Sequence, residues 1–386
     1  MEEWKTYRLE DLTIDGKGHY GIGAPAVDYD ENKFTYLRIT DINDDGSLNY
    51  SGLKSVDDPE ASKYLLQEGD IVFARTGNST GRSYYYEPSD GQFVFAGFLI
   101  KFSLDPTKVN PRFLKYYTHS KMYYEWVQSF DTGATRGNIN AQTFGSMEIN
   151  LPPREVQDRL VEILRSIDDK IKLNNRINHN LEEQAKHYFD EWCRGCDDEK
   201  SIAELSFNIL DYSQNQRDKV ILLNSSDVTE GIFEALPYVE NKDLKGQFKK
   251  RFRKGDILYS EIRPRNHHYA ICYFEAEDYI ASTRLMIIRR NPELLSSDAL
   301  LYQYLLMPRV EEEFTSKTES RSGTFPQGNY EDLSASVVPY SRENQVISDT
   351  LDSLYSIIWL NMEENKRLAS FRDALLPMLM SGDLTC

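Results

Sequence analysis

Apolar residues recur at alternating steps of four and three along two long stretches of the chain. The first reads Leu160, Leu164, Ile167, Ile171, Asn174, Asn178, Leu181, Ala185, Tyr188, Trp192. The second reads Ile347, Leu351, Leu354, Ile358, Asn361, Asn365, Leu368, Arg372, Leu375, Leu379, each 187 residues after its counterpart. This is the a/d spacing of heptad helices, and both seams carry two asparagines at matched positions. Each predicted helix is introduced by proline, in Leu151-Pro152-Pro153 and in Val338-Pro339, and a glutamine follows, Gln157 and Gln345. The pattern predicts about 33 residues per helix, or about 50 Å at 1.5 Å per residue. A single exposed seam of that length is unstable, so the two helices are expected to pair, antiparallel, about a pseudo-twofold axis. When residue i faces residue 539 − i, Asn174 meets Asn365, Asn178 meets Asn361, Ile171 meets Leu368 and Leu181 meets Ile358. Buried asparagine pairs would fix that register at some cost in stability.

Outside these stretches the period changes to two. Phe34-Thr35-Tyr36-Leu37-Arg38-Ile39, Asp70-Ile71-Val72-Phe73-Ala74 and Phe93 to Ile100 read as strands between Gly, Asn and Asp turns, and Pro111 to Trp126 reads as a helix packed on them. The second half predicts a strand from Ala281 to Arg289 and a helix from Ala299 to Phe314. One device occurs twice: Gly69-Asp70-Ile71 and Gly255-Asp256-Ile257, 186 residues apart, where a Gly-Asp turn leads into an apolar strand. Ile39-Thr40-Asp41-Ile42 and Ser225-Ser226-Asp227-Val228 match at the same offset. The chain therefore divides into a globular segment 1–153, a helix 154–195, a second globular segment 196–340 and a second helix 341–386. The fold class expected is α+β: two pseudo-symmetric β-rich domains separated by two long antiparallel coiled-coil helices.

Composition narrows the class. The 386 residues are 40% hydrophobic and 28% charged, as in a soluble globular protein. No apolar run reaches the roughly 18 residues of a membrane helix, and the acidic start Met1-Glu2-Glu3-Trp4-Lys5 does not read as a signal peptide. Four cysteines in so long a chain make no disulfide framework, which points to a reducing cytoplasm. The net charge of −17 argues against phosphate binding, but binding depends on local patches. Lys249-Lys250-Arg251-Phe252-Arg253-Lys254 is such a patch, followed by Arg263, Arg265, Arg284, Arg289 and Arg290. The same residues also suit an edge strand whose charges discourage aggregation.

The ordered, duplicated set resembles the specificity (S) subunit of type I restriction–modification systems across essentially the whole chain. Its marks are Trp4-Lys5-Thr6-Tyr7-Arg8-Leu9, the two Gly-Asp-Ile strands, the loop Thr132-Gly133-Ala134-Thr135-Arg136-Gly137-Asn138-Ile139, Leu151-Pro152-Pro153, Leu173-Asn174, Leu360-Asn361 and Leu375-Leu376-Pro377. The second loop departs from the first by carrying Pro326. The resemblance implies a non-catalytic subunit without a cofactor or metal of its own. Two target-recognition domains would each read one half of an interrupted asymmetric site on double-stranded DNA, and the helices would set the spacing. It also implies docking to two methyltransferase (M) subunits that bring S-adenosylmethionine, joined in a full complex by restriction/translocase (R) subunits.

Arginine can bond guanine bidentately, Asn or Gln adenine, and Glu can accept from cytosine. On that chemistry, and on their place in polar loops, the candidate DNA-reading residues are Arg75, Thr76, Asn78, Ser79 and Arg82, then Thr135, Arg136 and Asn138. In the second half they are Ser260, Glu261, Arg263, Arg265, Asn266 and His267, then Arg321, Ser322, Thr324 and Gln327. Ordinary turn chemistry accounts for the same residue types. Cys193-Arg194-Gly195-Cys196 has the redox spacing, but a heptad helix precedes it where a strand is needed. Asn150-Leu151-Pro152-Pro153 lacks the form of an adenine-methyltransferase motif, and no phosphate-binding loop is present. A duplicated protein scaffold and a stand-alone methyltransferase or nuclease are the competing readings. The helix register yields the first test: with Ile171→Cys and Leu368→Cys introduced together, oxidation is expected to form an intramolecular cross-link, and failure to form it sinks the register.

Overall fold

The computed structural model describes residues 4–130, 137–242, 244, 246–321 and 326–381. The chain forms two compact units: residues up to Ile171 together with those from Lys366 on, and Lys172–Asn365. Each unit thus holds one sheet-rich domain and a portion of both long helices.

In the first unit, His19–Tyr20, Leu99–Ser103, Asp70–Ala74 and Ser83–Tyr85 form an antiparallel sheet in that order. A second sheet runs Ala26–Val27, Lys54–Val56, Phe34–Leu37, Phe93–Phe95, with the last pair parallel. Lys5–Arg8 pairs antiparallel with Glu148–Leu151 and closes the domain. Asp70–Ala74 is buried along its whole length, which explains its unbroken apolar run. Its alternate side chains face two cores. Ile71 and Phe73 join the cluster under the helices Pro111–Tyr117 and Lys121–Gln128, while Val72 and Ala74 join the cluster with Phe93 and Phe95.

The second unit repeats this plan. Ser206–Asn208, Leu285–Arg290, Ile257–Ser260 and Tyr269–Ile271 form the antiparallel sheet, and Lys219–Leu223 pairs parallel with Tyr279–Ser282 in the other. Ile257 and Tyr259 face one core and Leu258 the other. Asp198–Ser201 closes the domain against Val337–Tyr340.

Both Gly-Asp turns work the same way. Gly69 and Gly255 take φ of +92° and +89°, a conformation that favours glycine. The following carboxylate turns back: Asp70 accepts from Gln67 N at 2.9 Å, and Asp256 from Arg253 N at 2.9 Å. Each Asp is buried and needs further partners. Ser103 and Lys101 serve Asp70 at 2.6 and 3.1 Å, whereas Arg289 grips Asp256 bidentately at 2.6 and 2.8 Å.

The long helices span Arg154–Arg194 and Gln345–Ser381, 41 and 37 residues, longer than the seams alone required. The ends of both seams pack on the domains. Leu160 and Leu164 enter the core of the first unit together with Leu376, Leu379 and Met380. Ala185 and Phe189 enter that of the second with Ile347, Leu351, Tyr355 and Ile358. Tyr188 and Leu375 do not continue the buried line: Tyr188 is 47% exposed while Phe189 is buried, and Leu376 is more buried than Leu375. A straight helix drifts about 20° per heptad against a 3.5-residue repeat, so the buried stripe steps one residue onward. The starts also differ from the sequence pattern. Gln157 is buried, accepting from Asn110 N at 2.9 Å and donating to the Pro152 carbonyl at 2.8 Å. Its counterpart is Asn344, bonded to Ser296 N at 3.1 Å and to the Leu294 carbonyl at 2.8 Å, and not Gln345, which bonds Asp349 on the exposed face.

Where the helices meet inside the second unit, Asn174 Nδ2 donates to Asn365 Oδ1 at 2.9 Å and to Glu364 Oε2 at 2.7 Å. Asn361 Nδ2 donates to Asn178 Oδ1 at 2.8 Å, and Asn178 Nδ2 to the Ile358 carbonyl at 3.3 Å. Leu181 packs against the cluster that contains Ile358. Ile171 and Leu368 belong to the first unit and are half-buried.

The buried Asp256–Arg289 pair gives a stability prediction. Arg289→Ala leaves the buried Asp256 carboxylate without its ion pair and is expected to cost about 3 kcal/mol or more. Urea unfolding measures this, and a loss under about 1 kcal/mol would contradict the role assigned to the pair.

Candidate nucleic-acid interface

The residues that follow each Gly-Asp strand sit at a three-way junction. In the first unit, Arg75 N donates to the Phe98 carbonyl at 3.0 Å and Ile139 N to the Arg75 carbonyl at 3.0 Å. Thr76 bridges Asn138. In the second unit, Glu261 N donates to the Arg284 carbonyl at 2.9 Å and Gly328 N to the Glu261 carbonyl at 2.8 Å, while Ile262 bridges Gln327. The two loops that sequence alone left separate in each half therefore converge on the open end of one strand. Arg75 and Glu261 occupy equivalent places, as do Phe98 and Arg284, and Asn138 and Gln327.

The side chains differ while the backbone does not. Arg75 lies over the Tyr20 ring, 5.0 Å from its centroid, and its Nη2 reaches Asn138 Oδ1 at 3.3 Å. Its Nε is buried without a hydrogen-bond partner among the described residues. Glu261 instead accepts from Gln327 Nε2 at 2.6 Å, and Gln327 is also bonded by Arg284. Lys250 approaches Glu261 at 3.5 Å and donates to the Leu285 carbonyl at 2.7 Å. Burial pushes the Lys250 ammonium below its ordinary value, opposed by the charge of Glu261.

The other candidates scatter around these junctions. Asn78 is exposed. Ser79 is buried, and Arg82 is held by Asp44 at 2.6 Å and the Ile42 carbonyl at 2.9 Å. Ser260 is also buried and closes a turn on Ile262, because its hydroxyl both donates to and accepts from that backbone. Arg263 and His267 adopt φ of +48° and +53° at either end of a short turn. Arg265 pairs bidentately with Glu319 at 2.7 and 3.0 Å, and His267 Nδ1 lies 2.7 Å from Glu311. Asn266 lies 3.5 Å from His268. Arg321 bonds Asp332 at 2.8 Å and the Gln327 carbonyl at 2.5 Å. Thr135, Arg136, Ser322 and Thr324 lie outside the described residues.

The basic run is less open than its charge implied. Lys250 points inward, Arg251 donates to the Glu277 carbonyl at 2.9 Å, Arg289 holds Asp256, and Arg290 pairs with Asp298 at 2.7 Å. Sequence reasoning missed Tyr20 and Phe98 as neighbours of Arg75, and passed over Arg284 as a partner of Gln327. The 186-residue offset that relates Phe98 to Arg284 was the available signal.

The thiols of Cys193 and Cys196 are pushed up by burial to about 12 and about 11, the reverse of what a redox nucleophile requires. Among the described residues no group of three His, Cys, Asp or Glu side chains could hold a metal ion, and no helix is long and apolar enough to cross a membrane.

Two sheet domains with matched loop junctions, joined to paired antiparallel helices, have the fold of a type I restriction–modification specificity subunit. The crystal structure of the type-I system S subunit from M. genitalium aligns over 98% of this chain and 96% of its own, with a TM-score of 0.56 and 14% identity. Residues 1–183 match the family described as type I restriction modification DNA specificity domain. The Haemophilus influenzae type I restriction enzyme HindI specificity subunit is 35% identical over 180 residues, 46% of this chain. The Salmonella potsdam StySPI specificity subunit is 28% identical over 144 residues, 36% of this chain. These matches span 39% and 30% of the two relatives' own lengths.

Arg75 carries the first site prediction. Arg75→Ala is expected to weaken duplex binding by about 1–3 kcal/mol and to relax selectivity at one base position, with the thermal unfolding midpoint unchanged. Band-shift titration over a set of single-base variants reads both, and unaltered selectivity removes Arg75 from base reading.

Proposed function

We propose that the chain is the DNA-recognition subunit of a type I restriction–modification complex. Segment 1–153 reads one half of a bipartite asymmetric site, and segment 196–340 reads the other. The helices 154–195 and 341–386 set the spacing between the halves. The observation that carries this reading is the equivalence of the two strand-end junctions, with one backbone pattern and different side chains. Conserved geometry beside altered chemistry is what two readers of unlike half-sites require. Arg75 and Asn138 offer donors to guanine and adenine edges, while Glu261, with Gln327 and Arg284 beside it, offers an acceptor to cytosine.

The chain itself performs no catalysis in this reading. Two methyltransferase subunits dock on it and supply S-adenosylmethionine, and restriction/translocase subunits join them in a cytoplasmic assembly. Because many of its arginines are already paired internally, the partners contribute much of the phosphate contact. A pure protein scaffold is the second reading, favoured by that same internal pairing of Arg82, Arg265, Arg289 and Arg290.

Exchange of residues 1–153 for those of a relative, followed by methylome sequencing of the host, tests the division of labour. One half-site is expected to change while the other half persists. Change in both halves refutes the assignment, and no methylation change with intact assembly favours the scaffold. In the co-expressed complex, duplex affinity is expected to fall steeply with salt.

A further inference from the structure

Within the second unit, both helices and the sheet domain enclose a cavity of about 510 Å³. This is within the usual range for a small-molecule site. Its wall is aromatic, with Tyr269, Tyr302, Tyr355 and Trp359. The Tyr302 ring stands at 71° to Tyr269 and 76° to Tyr355, with centroids 6.3 and 5.7 Å away. Tyr355 and Trp359 lie 5.8 Å apart. Glu182, Glu183, Asp190 and Glu230 also line the cavity, against Lys186 and His179. Tyr302 is only 4% exposed, yet its hydroxyl makes no hydrogen bond with any described residue. That hydroxyl stands at the cavity wall, 3.2 Å from the place a Cβ on Gly231 would take.

The first unit shows the equivalent place filled from within. Arg372, Asp168 and Tyr116 correspond by the repeat to Ala185, Tyr355 and Tyr302. Arg372 Nη1 meets Asp168 Oδ1 at 3.0 Å, and the Tyr116 hydroxyl donates to Asp168 Oδ2 at 3.0 Å. A half-buried cation, a carboxylate and a satisfied phenol thus close that position. In the second unit the arginine is replaced by fully buried Ala185, and the carboxylate by Tyr355. The acidic groups lie instead on the cavity rim, Glu182 being one turn before Ala185. Burial raises the Glu182 carboxyl above its ordinary value, with Glu230 and Glu183 adding to the rise and His179 opposing it.

We infer that this cavity binds a small alkyl polyamine, a di- or triamine, against Tyr355 and Tyr302, the residues that stand where the first unit has Asp168 and Tyr116. One ammonium group sits against the Tyr302, Tyr355 and Trp359 rings, where the ring quadrupoles attract it. Another meets the rim carboxylates through charge-assisted hydrogen bonds. The alkyl chain lies along Ile271, Leu306 and Met362, which complete the lining. A cation at the rim also favours the charged form of Glu182 and so offsets its desolvation. The inference does not rest on the DNA-recognition reading, since none of Glu261, Arg284 and Gln327 lines the cavity.

Calorimetric titration of the full chain with spermidine, at about 0.15 M salt to screen the diffuse acidic surface, tests it. One saturable site is expected. Glu182→Gln and Trp359→Leu should each weaken it roughly tenfold or more, whereas Asp28→Asn, a remote exposed carboxylate, should not. Ala185→Arg, which imports the guanidinium of the first unit, is expected to abolish binding. If that variant does not fold, Glu182→Gln decides, because its side chain lies on the helix surface. The absence of a saturable site overturns the proposal, as does equal affinity in Glu182→Gln and Asp28→Asn.

Discussion

A helix of some forty residues with an apolar seam cannot remain single in water, and the rest of this molecule follows from how that seam is covered. Its middle is met by the other long helix and its ends by the sheet domains. Leu160 and Leu164 lie in the same core as Leu376 and Leu379, and Phe189 in the same core as Ile347 and Leu351. Each compact unit is therefore assembled from pieces far apart in the chain. The amide pairs at Asn174–Asn365 and Asn178–Asn361 matter because apolar seams alone tolerate slippage. A slip would leave buried amides unbonded, a cost that leucines would not impose.

The duplicated Gly-Asp turns carry the same logic into the domains. A positive-φ glycine lets the chain reverse, and the following aspartate ties the turn to backbone before the strand begins. The strand is then held between two cores, so its end is a rigid point. Loops that meet there can vary in side chain while their backbone bonds remain constant. That combination permits Arg75 in one unit and Glu261 in the other without disturbing either sheet.

Pseudo-symmetry also exposes what the two units do not share. Asp256 is neutralised by Arg289, whereas Asp70 makes do with a serine and a lysine. Arg372 is clamped by Asp168 in the first unit, while the second has Ala185 and Tyr355 at those positions, and Tyr355 lines a cavity. The two halves thus satisfy the same buried positions with different charges.

Much of this was legible in the sequence because it depends on local periodicity. Steps of four and three specify helices, alternation specifies strands, and matched asparagines propose a register. The convergence of two loops on Arg75 and on Glu261 was not legible, since Thr76 meets Asn138 and Ile262 meets Gln327 across more than sixty residues. Nor was the inward turn of Lys250, or the pairing of Arg82 with Asp44 and Arg265 with Glu319. The sequence by itself determined the repeat, the element types and the helix seams, because neighbours a few residues apart settle those. Only the tertiary structure decided which charges are already neutralised and which side of Tyr188–Phe189 is buried. Both depend on the groups that distant segments bring within a few ångströms.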